Sequence, residues 1–542
     1  MNQQRDKSRD GFVARLRSFL LRNFEPFWVW VRGVPFLARI VNGIVINTAA
    51  TTSAARPYAY STLANYTSWS SLTDRTYFSR HLPPEAAPSN PPPLERVMTL
   101  FRRAPGTARE CPKSTLLFPV FAQYLTDGFL RTNMDDRRRT TSNHEIDLSP
   151  LYGRTAAQTN VLRLKSEDPG HRGRLKSQLV GQEEYPPLFF EADGQTIRPE
   201  FLDAQGQSIL DPPLGLNHIQ GGALDRQLFA VGGDRANATP FVSMFNTLLL
   251  REHNRLAGEL ESRNSSWDDE RVFQTARNIL IVLYIKLVIE EYINHITSAC
   301  FRFICAPSVV WKANWNRPNW MTIEFALLYR WHSLIPGKIA WAGGEVEASS
   351  MVLDNRFLTG IGLAEGFRLT CAQNATAVGL HNTAPFLEPV EQAAVQQGRN
   401  LKVASYNAYR QIMGMKPVTE FNQMTADPER QKDLKAVYGT PDAVEFYPGL
   451  FAEDVNPNTP MPNLMGLMVA LDAFSQALTN PLLAENIYNP ATFTDWGMGQ
   501  IETTGTVFDL LVRNTPGGLP PAADRQTYGM TRRDWKRQWA PF

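Results

Sequence analysis

The sequence predicts a mostly helical protein. Apolar residues recur at helical spacing in one segment after another, strictly alternating stretches are rare, and no internal repeat is visible. With 542 residues, 43% hydrophobic and 20% charged, the chain has enough apolar material for one large domain with an appendage. A formal net charge of +2 provides no general polyanion-binding surface, so nucleic acid is not an expected partner. Cys111, Cys300, Cys305 and Cys371 are scattered without C-x-x-C spacing. That indicates neither a zinc site nor a disulfide framework and fits a reducing compartment.

The opening MNQQRDKSRD has no apolar core of a secretory signal, and no run of about 18 uncharged apolar residues predicts a membrane-spanning helix. From Phe12 to Ile46, however, Phe19, Phe24, Phe27, Trp28, Trp30 and Phe36 alternate with Arg15, Arg22, Arg32 and Arg39. Pro26, Gly33 and Pro35 cut the stretch into short amphipathic pieces. Aromatic faces flanked by arginine suit helices lying in a lipid interface, rings at headgroup depth and guanidinium groups in water. The alternative is that these helices pack on the main domain. Residues 1–55 are accordingly read as an amphipathic monotopic membrane-binding region and 56–542 as the catalytic domain.

Further along, the Pro-rich Leu82–Glu95 reads as a linker or an ordered extended segment. Leu116–Leu130 is apolar and periodic, as a helix. Asn133–Asn143 is a polar loop whose Arg137, Arg138 and Arg139 form a solvated face. Residues 181–222, rich in Gly and Pro, predict irregular structure. Phe241–Leu260 is helical, and Val272–His295 is apolar nearly all round, as in a buried core helix. Thr322–Leu334, Leu401–Ile412 and Met461–Leu478 are further helices, and RRDWKRQWAPF at the end reads as a surface tail.

The chemistry concentrates in EFALLYRWHSLIP, residues 324–336. Tyr329 and His332 are three apart, which on a helix puts both on one face with Cβ atoms about 5–6 Å apart. An imidazole ligates haem iron through Nε2, and a phenol beside it is oxidisable to a tyrosyl radical. Two structural side chains are the plain alternative. Other blocks stand in order around this one: FAQYLTDGFLRT, NHEIDLSPLYG, FAVGGDRANATPFVSMFNTLLLREHNR, FQTARNILIVLYIKLVIEEYI, SYNAYRQIMGMKPVTEFNQMT and VYGTPDAVEFYPGLFAED. Over about residues 12–500 the set resembles the cyclooxygenase branch of the haem peroxidases.

That resemblance implies an all-α, haem-peroxidase-like catalytic domain carrying haem b, with fatty acid and dioxygen as substrates. It implies His332 as axial iron ligand, Tyr329 as radical site, and Tyr292 as the tyrosine that hydrogen-bonds it. Gln123 stands beside the haem, Thr132 and Trp331 contact the cofactor, and Ser475 lines the fatty-acid channel. A membrane lipid surface is the implied partner, and a homodimer is left open. With no secretion signal and no disulfide module in the sequence, the expected place is the cytoplasmic face of a bacterial membrane.

The sequence departs from the family in two places. Asp127 replaces the distal histidine, and with an ordinary carboxyl pKa of about 4 it is a poor proton donor at neutral pH unless burial raises it. Weak peroxidase activity is therefore expected. Arg235 takes a position where cyclooxygenases are apolar, and either polarises peroxide or pairs with a carboxylate. Ala49 replaces the arginine that anchors the fatty-acid carboxylate, leaving Arg56, Thr48 or apolar contact alone. A hydroperoxide-forming dioxygenase follows more readily than prostaglandin chemistry. The alternatives are a peroxidase of small phenols or halides, and a haem- or lipid-binding protein without turnover.

Overall fold

Capped helices packed through aliphatic and aromatic side chains build this chain, and sheet has a minor part. The computed structural model describes residues 16, 18–50, 59–85, 90–218 and 222–540. Among them, strand is confined to three two-stranded antiparallel pairs. Eight helices position the site: α1 (Glu25–Gly33), α2 (Pro35–Ala50), α3 (Leu117–Phe129), α4 (Pro240–Arg263), α5 (Asp269–Leu287), α6 (Ile323–Leu328), α7 (Glu388–Asn400) and α8 (Asn463–Leu478).

Their starts are legible locally. Thr239 caps α4 ahead of Pro240, Asp268 accepts the Arg271 N–H at 2.8 Å to cap α5, and Thr322 accepts the Phe325 N–H at 3.0 Å to cap α6. No side chain caps α3. Eleven of its residues are buried, so tertiary packing holds it. Helices α3 and α5 pack on α4, while α8 lies against α2, α6 and the turn that follows α5. That turn is a π segment, Val288–Ile293, carrying Tyr292. An extra residue in a helical turn redirects the side chains around it, which is why such turns collect at functional positions. The long apolar run Asp269–Ile296 is buried inside the protein, as expected of a core helix.

Helices α1 and α2 meet at a bend of 116°. Their inner faces dock: Val31, Ala38 and Ile46 are buried, and Asn42 exchanges two hydrogen bonds with the Ile304 backbone. Their outer faces leave Phe24, Phe27, Val29, Trp30, Phe36, Ile40 and Ile44 exposed, Phe36 at 71%. Docked and exposed apolar residues thus fall on opposite faces of the same two helices. The expected domain boundary at residue 55 lies outside the described residues.

Three expectations change. The C-terminal segment is tied down along most of its length. Arg532 N–H donates to Lys113 O, Gln538 N–H to Asn458 Oδ1 and Ala540 N–H to Asn23 Oδ1, strapping the end of the chain to the α1 entry. The helix expected over Leu401–Ile412 begins only at Tyr406, because Ser405 caps it and the preceding residues form a turn. The Pro-rich stretch is ordered on its near side, where Glu85 N–H donates to Lys402 O.

Candidate active site

Helix α6 stops at Leu328, one residue before the chemistry begins. Tyr329 sits at its C-cap, Trp331 has φ −92° and ψ 48°, and His332 opens a short 3-10 turn to Leu334. The expected continuous helix over Thr322–Leu334, with Tyr329 and His332 on one face, is therefore corrected. Two interactions draw the backbone out of the helix. The Arg330 carbonyl accepts the Tyr447 hydroxyl at 3.0 Å, and the Tyr329 ring lies flat against Trp331 with centroids 4.7 Å apart.

On the tyrosine side everything is aromatic and dry. Trp331 stacks further on Phe118 of α3, Phe118 and Phe121 both stack on Tyr292, and Phe121 stacks on Tyr284. Phe325 meets Tyr329 edge-on and Phe129 face-on, so α3 runs the length of this seam. The Tyr284 hydroxyl and Trp331 Nε1 are buried without a hydrogen bond, and the equally buried Tyr329 and Tyr292 hydroxyls have only each other. Burial raises the pKa of the Tyr329 phenol, an effect partly offset by the Tyr292 hydroxyl beside it; Tyr292 is raised as well. Phenols that resist ionisation give up proton and electron together, as a hydrogen atom.

His332 keeps 23% of its side chain exposed, and its Nδ1 is buried 3.4 Å from Glu391 Oε1. That leaves Nε2 for a ligand. Sequence reading missed Glu391 and Tyr447, since neither carries a local signal and both reach the site from separate helices.

The opposite side of α3 is polar and charged. Gln123 and Thr126 are its half-buried members, and Asp127 follows Gln123 by one turn. The Asp127 carboxyl is buried with Oδ2 unbonded, and burial lifts its pKa to about 7, against the pull of Arg235 and Arg131. This is the case the sequence left open, in which burial raises the carboxyl toward neutrality. Arg131 is paired with Asp234 at 2.6 Å, and Arg235 donates to the Leu130 carbonyl at 3.2 Å. Thr132 follows α3, buried, in a backbone bridge to Thr140. Arg235 acts electrostatically on both Asp127 and Arg330, linking this cluster to the His332 segment. The His332 imidazole, through Nε2, could hold an iron-bearing cofactor, and the unpartnered buried Oδ2 of Asp127 fits a polar group bound beside α3.

A cavity of about 240 Å³ opens between α2 and α8. Val45, Ala49, Ile293, Phe303, Ala473 and Phe474 are among the residues lining it, and no charged side chain does. Ile293 follows Tyr292 in the π segment. Ala49 lines it where the anchoring arginine was absent from the sequence. Ser475 is buried with its hydroxyl donating to Asp472 O at 3.1 Å, and Thr48 is exposed and donates to Ile44 O. Arg56 lies outside the described residues. All four cysteines are free.

Residues 87–523 match the family model for animal haem peroxidases. The chain is 29% identical over 517 residues to prostaglandin G/H synthase 2 of Oryctolagus cuniculus, covering 92% of this chain and 80% of that one. Among solved structures it is similar to the fatty acid alpha-dioxygenase of Oryza sativa, with a TM-score of 0.66, 16% identity and 81% of each chain covered. Peroxidase A of Dictyostelium discoideum superimposes with a TM-score of 0.61 at 18% identity, covering 85% of this chain and 96% of that one. At such identities the two structures report the fold.

Proposed function

Because this chain belongs to the animal haem peroxidase family, we propose that it is an oxidoreductase that holds haem b on His332 and uses Tyr329 to add dioxygen to a fatty acid. The observation that carries this reading is the placement of the Tyr329 phenol. It is buried among stacked rings beside the Tyr292 hydroxyl, three residues from an imidazole whose Nε2 is free. The relatives named prostaglandin G/H synthase and fatty acid alpha-dioxygenase support the substrate class.

The haem, reacting with peroxide, supplies a one-electron oxidant. Tyr329 loses its hydroxyl hydrogen and becomes a phenoxyl radical, with Tyr292 beside the oxygen to steady it. That radical takes a hydrogen atom from a carbon of the fatty acid, which restores the phenol. Dioxygen adds to the carbon radical, and the peroxyl radical takes the hydrogen back from Tyr329, leaving a hydroperoxide. The aromatic seam excludes water from this exchange, and the largely apolar lining of the cavity between α2 and α8 orients the chain. Residues 1–55 serve as the membrane-binding region, drawing a lipid-dissolved substrate toward that cavity. The exposed aromatic faces of α1 and α2, and their apolar groove of about 700 Å³, support this.

A peroxidase acting on small phenols is the second reading, favoured by one observation. Asp127, with its pKa near 7, is placed to move a proton at the distal site. The deciding experiment incubates haem-reconstituted protein with oleic, linoleic and arachidonic acids and identifies products by mass spectrometry. Fatty-acid hydroperoxides are expected. Dye oxidation with peroxide and no oxygenated lipid would decide for the second reading.

A further inference from the structure

Helix α7 carries Glu391 to the imidazole that the proposed function makes the iron ligand, and the inference drawn here rests on that reading. The Glu391 side chain is completely buried. Its Oε1 accepts the Thr383 hydroxyl at 2.9 Å and lies 3.4 Å from His332 Nδ1, while its Oε2 accepts the Tyr447 hydroxyl at 2.5 Å. The single Tyr447 hydrogen is committed mainly to Glu391, with the Arg330 carbonyl, one residue from the His332 neighbour Trp331, sharing it at 3.0 Å. A carboxylate stripped of water needs donors to be tolerated. Two hydroxyls supply part of that need. The third donor within reach is the N–H of His332, whose Nδ1 is buried and otherwise without a hydrogen bond.

We infer that Glu391 is the positioning residue of the axial imidazole. It accepts the Nδ1 hydrogen, fixes the tautomer that presents Nε2 to iron, and lends the ring anionic character. A carboxylate partner makes an imidazole a stronger electron donor to its metal, and so favours ferric over ferrous iron. Thr383 and Tyr447 temper the effect, because each hydrogen bond they donate draws charge away from the imidazole.

The test uses the full chain reconstituted with haem. It reads the ferric/ferrous midpoint potential by spectroelectrochemistry, and the iron–histidine stretching band of the ferrous protein by resonance Raman. The parent should show that band and His332→Ala should lack it. A parent that takes up no haem, or a His332→Ala protein that keeps the band, overturns the ligand assignment and this inference with it. With ligation established, Glu391→Gln should shift the equilibrium toward ferrous iron by at least tenfold, about 59 mV for a one-electron couple, and lower the band frequency. Glu391→Asp should recover part of both. Tyr447→Phe removes one donor from the carboxylate and should move both readouts the opposite way, which keeps the test open if the glutamine variant does not fold. Unchanged potential and band in Glu391→Gln, or in Tyr447→Phe if that variant alone folds, overturn the role of Glu391 and leave His332 as ligand.

Discussion

Helix α3 has two faces with opposite physics. Toward α6 it offers Phe118, Phe121 and Phe129 to a seam of stacked rings in which burial raises the pKa of Tyr284, Tyr292 and Tyr329. On its other side Asp127 lies within the field of Arg131, Arg235 and Asp234. A seam that disfavours phenolate suits its tyrosines to hydrogen-atom chemistry. A buried acid titrating near neutrality is suited to moving protons. One helix thus keeps the two kinds of transfer a few residues apart and separately tunable.

The contrast is sharpest in turnover. Asp127→Asn should cut peroxide-dependent dye oxidation by about 10²–10⁴-fold, the usual worth of a positioned proton carrier. Fatty-acid oxygenation started with added hydroperoxide should fall far less. Steady-state assays of both activities on one preparation check this, and an equal loss of both would erase the distinction between the faces.

Stability should separate them next. Trp331→Ala removes a fully packed indole and should cost about 3–5 kcal/mol in denaturant unfolding. Asp127 acts through pH instead. Its native pKa of about 7 lies above the usual 3.8, so between those values the folded state binds more protons than the unfolded one. Stability then falls as pH rises from about 4 to 7 and levels off above. The difference of about 3 units corresponds to about 4 kcal/mol at most. Apo-protein carrying Asp127→Asn should show a shallower decline, the remainder coming from Glu145 and Glu291, which burial also raises, as parallel urea titrations at pH 5 and 8 would reveal. The smallest effect belongs to Tyr292→Phe. Its hydroxyl has only the Tyr329 hydroxyl as a partner, so stability should change by about 1 kcal/mol, while the electron paramagnetic resonance line shape of the Tyr329 radical changes.

The two faces were unequally legible in the sequence. The helical class, the buried helix through Tyr292 and the start of α6 could be read because caps and apolar periodicity are local signals. The break between Tyr329 and His332 could not, since it depends on the Tyr447 hydroxyl and on ring stacking across the seam. Asp127 was readable as a substitution, but its acidity was not, because burial is a tertiary property. Glu391 was invisible for the same reason. The N-terminal helices lay between these cases: their composition was plain, and only the fold showed that docking and exposure fall on opposite sides of α1 and α2.

The central claim is that the phenol in the dry seam, and not the charged side of α3, attacks the lipid. Oxygen-electrode measurements on haem-loaded Tyr329→Phe with fatty acid and a trace of hydroperoxide address it most directly. The account predicts no oxygen uptake with the haem absorption band and peroxide-dependent dye oxidation retained. Uptake at the parent rate would contradict it.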